Sequence, residues 1–139
     1  KSKTKSNQWR STNEALEWFN KLDNKSEYFF FQFDIEAFYP SISETLLDKA
    51  IEFAKQYTQI SDEDIAIIKN SRETFLLSAK EAWVKKDNPK FDVAMGGHDS
   101  AEVCELVGLY LLFGLEKIIS QPHLGLYRDD ASLNCRVQR

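Results

Sequence analysis

Apolar residues recur along this chain with two different periods, and the change of period marks its elements. Ala15, Leu16, Phe19 and Leu22 fall three or four apart, which predicts a helix with these side chains on its buried face. Ser11-Thr12-Asn13-Glu14 ahead of them matches a capping box, and the helix should end near Asp23-Asn24. Tyr28-Phe29-Phe30-Phe31-Gln32-Phe33-Asp34-Ile35 then switches to a period of two. It is too short and too aromatic for a surface helix, so it reads as a strand. Phe29, Phe31, Phe33 and Ile35 share one face, which is wholly apolar and is expected to pack on helices. Tyr28, Phe30, Gln32 and Asp34 share the other, which turns polar where the strand ends at Asp34.

Phe38-Tyr39-Pro40 closes the strand region, and Ser41-Ile42-Ser43-Glu44 offers a second capping box. The helix behind it should bury Leu46, Leu47, Ala50, Ile51 and Ala54. Ser61-Asp62-Glu63-Asp64 opens a further helix, expected to run through Ile65, Ile68, Phe75, Leu76 and Ala79 towards Trp83. Lys85-Lys86-Asp87-Asn88-Pro89 reads as a charged turn, and Phe91 to Met95 as a short strand stopped by Gly96-Gly97. From Asp99 to about Ile119 the pattern predicts a long helix, apolar on nearly every side and therefore buried. Its acids Asp99, Glu102 and Glu105 lie near the positive N-terminal end, where the macrodipole favours them. Ser120-Gln121-Pro122 breaks it. His123–Tyr127 and Ala131–Leu133 then form a hairpin around Arg128-Asp129. This order predicts an α+β fold, an antiparallel sheet with helices on one face.

At 139 residues the chain suits one domain or part of a larger one, and 42% apolar residues are enough for a core. Cys104 and Cys135 are too few and too far apart for a disulfide scaffold or a zinc site. The longest strongly apolar run, Leu106–Leu115, is about half of the ~20 residues a bilayer span needs, so no membrane role is expected. Lys1 to Arg10 is polar throughout, unlike a signal peptide, and the expected setting is intracellular.

Charge is unevenly distributed. Of 18 Lys+Arg and 22 Asp+Glu, Lys1, Lys3, Lys5 and Arg10 lie in an opening arm without acids, and Arg136 and Arg139 in a closing stretch without acids. Residues 11–132 thus hold 12 bases and all 22 acids. That sign is wrong for a broad basic face gripping nucleic acid; it suits a domain that concentrates carboxylates, although charge alone favours a plain solvated acidic surface.

Three acids occupy special places: Asp34 at a strand end, and Asp129 with Asp130 at a hairpin tip. They meet only if the two strands are neighbours in one sheet. Converging carboxylates repel one another, and divalent cations relieve that conflict. Mg²⁺ favours a few carboxylates with waters and substrate phosphates. Two such ions can activate an attacking hydroxyl and stabilise a leaving oxygen in phosphoryl transfer. Taken singly, each acid also fits turn or capping chemistry.

Phe33-Asp34-Ile35-Glu36-Ala37-Phe38-Tyr39-Pro40-Ser41-Ile42 resembles the first catalytic motif of reverse transcriptases, and Tyr127-Arg128-Asp129-Asp130 resembles their Tyr-x-Asp-Asp motif. Met95-Gly96-Gly97-His98-Asp99-Ser100-Ala101 sits between them, where that family carries a Gly-containing nucleotide-site motif. The resemblance covers roughly residues 8 to 131, with a retroelement-like flavour. Met95 stands where the family usually has Gln, and Ala101 where many members have Pro.

The resemblance implies a ferredoxin-like polymerase palm and RNA-directed DNA polymerisation. Asp34 and Asp129 would bridge two Mg²⁺ ions, for which Mn²⁺ can substitute. Asp130 would support them, and the Ile35 carbonyl would add a ligand. Tyr39 would be the steric gate beneath the incoming sugar, with Phe38 beside it. Gly96 and Gly97 would let the backbone approach the nucleotide, and Tyr127 would support the primer end. The implied partners are a primed RNA or DNA template and a deoxynucleotide. Residues 1–26 would be a basic arm and the end of the fingers, and 27–139 the palm core of a longer parent carrying the rest of the fingers and a thumb. The alternative is a decayed or domesticated palm serving as an interaction scaffold. A metal-dependent nuclease on another fold ranks lower, since no His or Lys is placed for proton transfer.

Overall fold

The computed structural model describes residue 4 and residues 6–73, 75–84, 91–119 and 123–136. The charged turn expected at 85–89 and the helix break at 120–122 lie outside them. The chain forms two compact units, residues 1–36 with 108–139 and residues 37–107.

The first unit is built on a four-stranded sheet. Strands β1 (Gln8–Trp9), β2 (Tyr28–Asp34), β5 (Leu124–Tyr127) and β6 (Asp130–Arg136) lie in the order β1-β5-β6-β2. The strand at 28–34 and the hairpin around Arg128-Asp129 stand where the sequence places them. The sheet is mixed, not antiparallel throughout, because β1 runs parallel to β5. Strand β1 falls in the stretch read as an arm. The Leu126 amide donates to the Asn7 carbonyl at 3.0 Å, and the Asn7 side-chain amide donates to the Leu124 carbonyl at 3.0 Å. Trp9 lies flat over Gly125, where a Cβ would collide with its indole ring.

Helices cover both faces of this sheet, where one covered face was expected. Leu112, from helix α5 (Ser100–Glu116), joins Leu124, Leu126 and Ala131 in the core on one side. Gly108 brings α5 close to the sheet, since a Cβ there would meet the Leu126 side chain at 3.1 Å. On the other side lies helix α1 (Thr12–Lys21), with Trp18 against Trp9 and Phe19 against Phe30. The Ser11 hydroxyl caps α1 by accepting from the Glu14 amide, while the Glu14 carboxylate accepts from the Arg10 amide, one residue before the expected partner. None of the residues of α1 is fully buried, and Leu16 is 58% exposed. The apolar face of β2 is likewise open: Phe29, Phe31 and Phe33 are 60%, 51% and 43% exposed. Their strand forms an edge of the sheet, and only Ile35, beyond its end, packs against the core.

The second unit contains α2 (Phe38–Ser41), α3 (Glu44–Lys55), α4 (Asp62–Asn70), the hairpin β3 (Leu76–Ser78) and β4 (Glu81–Trp83), and the first turns of α5. Ser43, not Ser41, caps α3, because residues 38–41 already form a turn of helix. Leu47, Ala50, Ile51 and Phe53 make its buried face. The helix expected to reach Trp83 stops at Asn70. There the Ser71 hydroxyl folds back onto the Ile67 carbonyl, and the Arg72 carbonyl accepts from the Asp92 amide. Residues beyond it reverse through Ala79, at φ 54°, into an exposed hairpin. Phe91 to Met95 is irregular, not a strand, although Phe91 and Val93 are buried. Lys69 ties α4 to α3 through Asp48 at 3.0 Å and Glu44 at 3.2 Å, bonds that hold its ammonium above the ordinary lysine range.

Ser61 and Asp64 form a complete capping box at the start of α4. The Ser61 hydroxyl, and then its backbone amide, hold the Asp64 carboxyl below its ordinary range. A carboxyl depressed in the folded state contributes stability above its unfolded pKa of about 3.9, and the contribution fades as pH falls through the folded value. The Asp64 carboxyl should therefore titrate below a free aspartate by NMR, and Ser61→Ala, which removes the hydroxyl but keeps the amide, should raise it part of the way back. Gly125→Ala should cost about 1–3 kcal/mol in chemical denaturation, because the ring of Trp9 occupies the space a methyl needs.

Candidate functional site

Strand β2 pairs antiparallel with β6 from Tyr28↔Arg136 to Asp34↔Asp130. This register closes the gap of ninety-five residues between the acids singled out in the sequence. Beyond the strand, the Ile35 amide donates to the Asp129 carbonyl at 3.0 Å. Hydrogen-bonded and non-hydrogen-bonded pairs alternate along an antiparallel ladder, so Asp34 and Asp130 face each other at a non-hydrogen-bonded position. That is the closer kind of pair, with Cα atoms about 4.5 Å apart.

Register parity also distributes the roles. Asp34, Asp130 and Tyr127 share one face of the sheet, since Tyr127 pairs with Asp130 across the hairpin. Asp129 sits in the turn, where its main chain fixes β2 to the hairpin. The acid opposite Asp34 is thus Asp130, the one expected only to support the pair. Asp34 and Asp130 are exposed, Asp129 is partly buried, and none of the three has an ion pair among the described residues. Among those residues no group of three or more His, Cys, Asp or Glu is arranged to hold a metal ion.

Backbone strain lies on both sides of the acids. Asn24, Ala37, Ala79 and Arg128 are the described non-glycine residues with positive φ. Ala37, at 48°, follows Asp34 by three residues, and Arg128, at 57°, directly precedes Asp129. Positions of this kind are costly and concentrate at functional sites. The Arg128 guanidinium lies 5.4 Å from the ring of Tyr127, which occupies the hairpin end.

The acid-bearing face opens into a cavity of about 630 Å³ beneath α1. Asp34, Asp130 and Tyr127 line it together with Trp9, Leu16, Trp18 and Phe19. The sequence reading assigned no role to this aromatic wall. Its only sign there was the number of tryptophans on either side of Ser11, read as arm and helix.

The expected nucleotide-site residues belong to the second unit. Phe38 is buried at 5% exposure and offers almost no surface to a ligand, while Tyr39 in the same turn is half-buried. Gly96 takes φ +87°, and Gly97 is pressed by the Ser100 hydroxyl and the Ala94 carbonyl. The glycines thus have a local reason to be there: they form the tight turn that feeds α5. Met95 is exposed. Asp99 and Ser100, at the helix start, hold the guanidinium of Arg72, which is only 2% exposed. Nothing around Arg72 in the sequence distinguishes it from a surface base.

No family model, curated protein or solved structure matches the chain. Among the described residues, no helix is long and apolar enough to cross a membrane.

Like charges directly opposite one another across a ladder destabilise it, and among the described residues neither acid has an ion pair. In metal-free buffer Asp34→Asn should therefore raise stability by about 0.2–1 kcal/mol. Chemical denaturation of the two chains measures the difference.

Proposed function

We propose that the chain is the palm of an RNA-directed DNA polymerase, transferring a nucleotide from a deoxynucleoside triphosphate to a primer 3′-hydroxyl. The observation that supports this reading is the pairing of β2 with β6. It sets Asp34 of the first motif across from Asp130 of the Tyr-x-Asp-Asp motif, on an exposed face with Tyr127 beside them. Two carboxylates with no ion pair among the described residues form an all-oxygen donor set of the kind Mg²⁺ takes together with waters and substrate phosphates. Bound there, Mg²⁺ would activate the primer hydroxyl and stabilise charge on the leaving oxygen.

The chain's own contribution is placement. The ladder fixes the separation of Asp34 and Asp130, and the bond from the Ile35 amide to the Asp129 carbonyl holds the turn against β2. Tyr127 offers its ring to the primer end. In the reaction, the 3′-oxygen forms a bond to the α-phosphorus, pyrophosphate leaves with the electrons of the broken P–O bond, and the hydroxyl proton passes to solvent. RNA as template, Tyr39 as sugar gate, and the need for further fingers and a thumb rest on the family resemblance. A second reading, a palm retained as an interaction scaffold, draws on the exposed Phe29, Phe31 and Phe33 of the edge strand.

A Mn²⁺ titration of the isotope-labelled chain tests the proposal through residue-resolved NMR broadening. Broadening centred on Asp34, Asp129 and Asp130, and lost in Asp130→Asn, is the expected result. Broadening spread over Glu44, Asp48 and the acids of α4, and unchanged in that variant, would favour the scaffold.

A further inference from the structure

The cavity beneath α1 combines two kinds of surface that select the same ligand. One wall is aromatic: Trp18, partly buried, and Phe19, exposed, line it, with the buried ring of Trp9 behind, 5.0 Å from that of Trp18 and tilted by 54°. Flat rings pack well on such a wall, and indole faces attract cations more strongly than other aromatic side chains do. The opposite rim carries Asp34 and Asp130, exposed and without an ion pair among the described residues. Leu16, 58% exposed, leaves the mouth open to solvent. The volume, about 630 Å³, falls within the range of small-molecule pockets.

Charge decides among possible occupants. A phosphate-bearing ligand without a metal ion meets two carboxylates at the rim, set against the guanidinium of Arg128 over Tyr127, and is disfavoured. A neutral apolar ring uses the wall and gains nothing from the rim. An aromatic cation uses both, and its charge also relieves the repulsion across the Asp34–Asp130 pair. We propose that this cavity binds flat aromatic organic cations, with the ring against Trp18 and Phe19, next to the buried Trp9, and the positive charge towards Asp34 and Asp130. The site needs neither metal nor nucleotide, so it stands apart from the polymerase reading. Such a cation would compete with a divalent ion for the same two carboxylates.

The test uses the full labelled chain at pH 7.5 with EDTA present, so that the result is independent of any metal. N-methylquinolinium is the probe and uncharged quinoline its control, with the indole N–H signals of Trp9, Trp18 and Trp83 followed by NMR. Saturable shifts at Trp9 and Trp18, with Trp83 unmoved, are expected. Quinoline should bind about tenfold more weakly, and Asp34→Asn should weaken the cation by a similar factor. Leu16→Arg, a change at an exposed position, should abolish binding by placing a fixed positive charge at the mouth. Equal binding of probe and control, undiminished binding in Leu16→Arg, or shifts confined to Trp83 would each overturn the proposal.

Discussion

The pairing of β2 with β6 is the constraint on which the first unit depends. Seven residue pairs join a strand near the start of the chain to one near its end. That register decides which acids meet, which face carries them and where the hairpin tip is anchored. A slip of one residue would exchange the two faces of β2, turning Asp34 towards the core and Phe33 towards the cavity. The last bond of the ladder region, from Ile35 to the Asp129 carbonyl, holds the turn in place without using a side chain.

How much of this was legible follows from the range over which each signal acts. Tyr28–Asp34 and the hairpin around Arg128-Asp129 were readable because strand alternation and turn position are local. Strand β1 was not, because two residues show no period, and its pairing to β5 is held by Asn7 and the packing of Trp9 on Gly125. The hairpin Leu76–Trp83 was taken for helix because Phe75, Leu76, Ala79 and Trp83 fit helical spacing, while Ala79-Lys80 lacks the glycine or asparagine that announces a turn. What ends the preceding helix is the Arg72–Asp92 backbone bond and the burial of the Arg72 side chain, which are tertiary facts.

The candidate site shows the same division. That Asp34 and the Asp129-Asp130 pair belong together was legible from their positions at a strand end and a hairpin tip. Which aspartate stands opposite Asp34 depends on register parity, and no motif carries that information. The aromatic wall was hidden for another reason: Trp9 fell in a stretch that reads as a polar arm, Phe19 reads as one of a helix's buried positions, and only the placement of α1 on the acid-bearing face brings them with Trp18 to one cavity.

The first unit is discontinuous in sequence, and this has a consequence for synthesis. Residues 37–107 leave the ribosome as one continuous stretch and can fold once they are out. The sheet cannot close until β6, its last strand, emerges. Through that interval Tyr28–Phe33, six uncharged residues of which five are aromatic, waits without its ladder partner. Pairings this distant in sequence form slowly, and unpaired apolar strands are where nascent chains aggregate. The seven-residue strand that fixes the geometry of the site is thus also an aromatic segment left unpaired through most of the chain's synthesis.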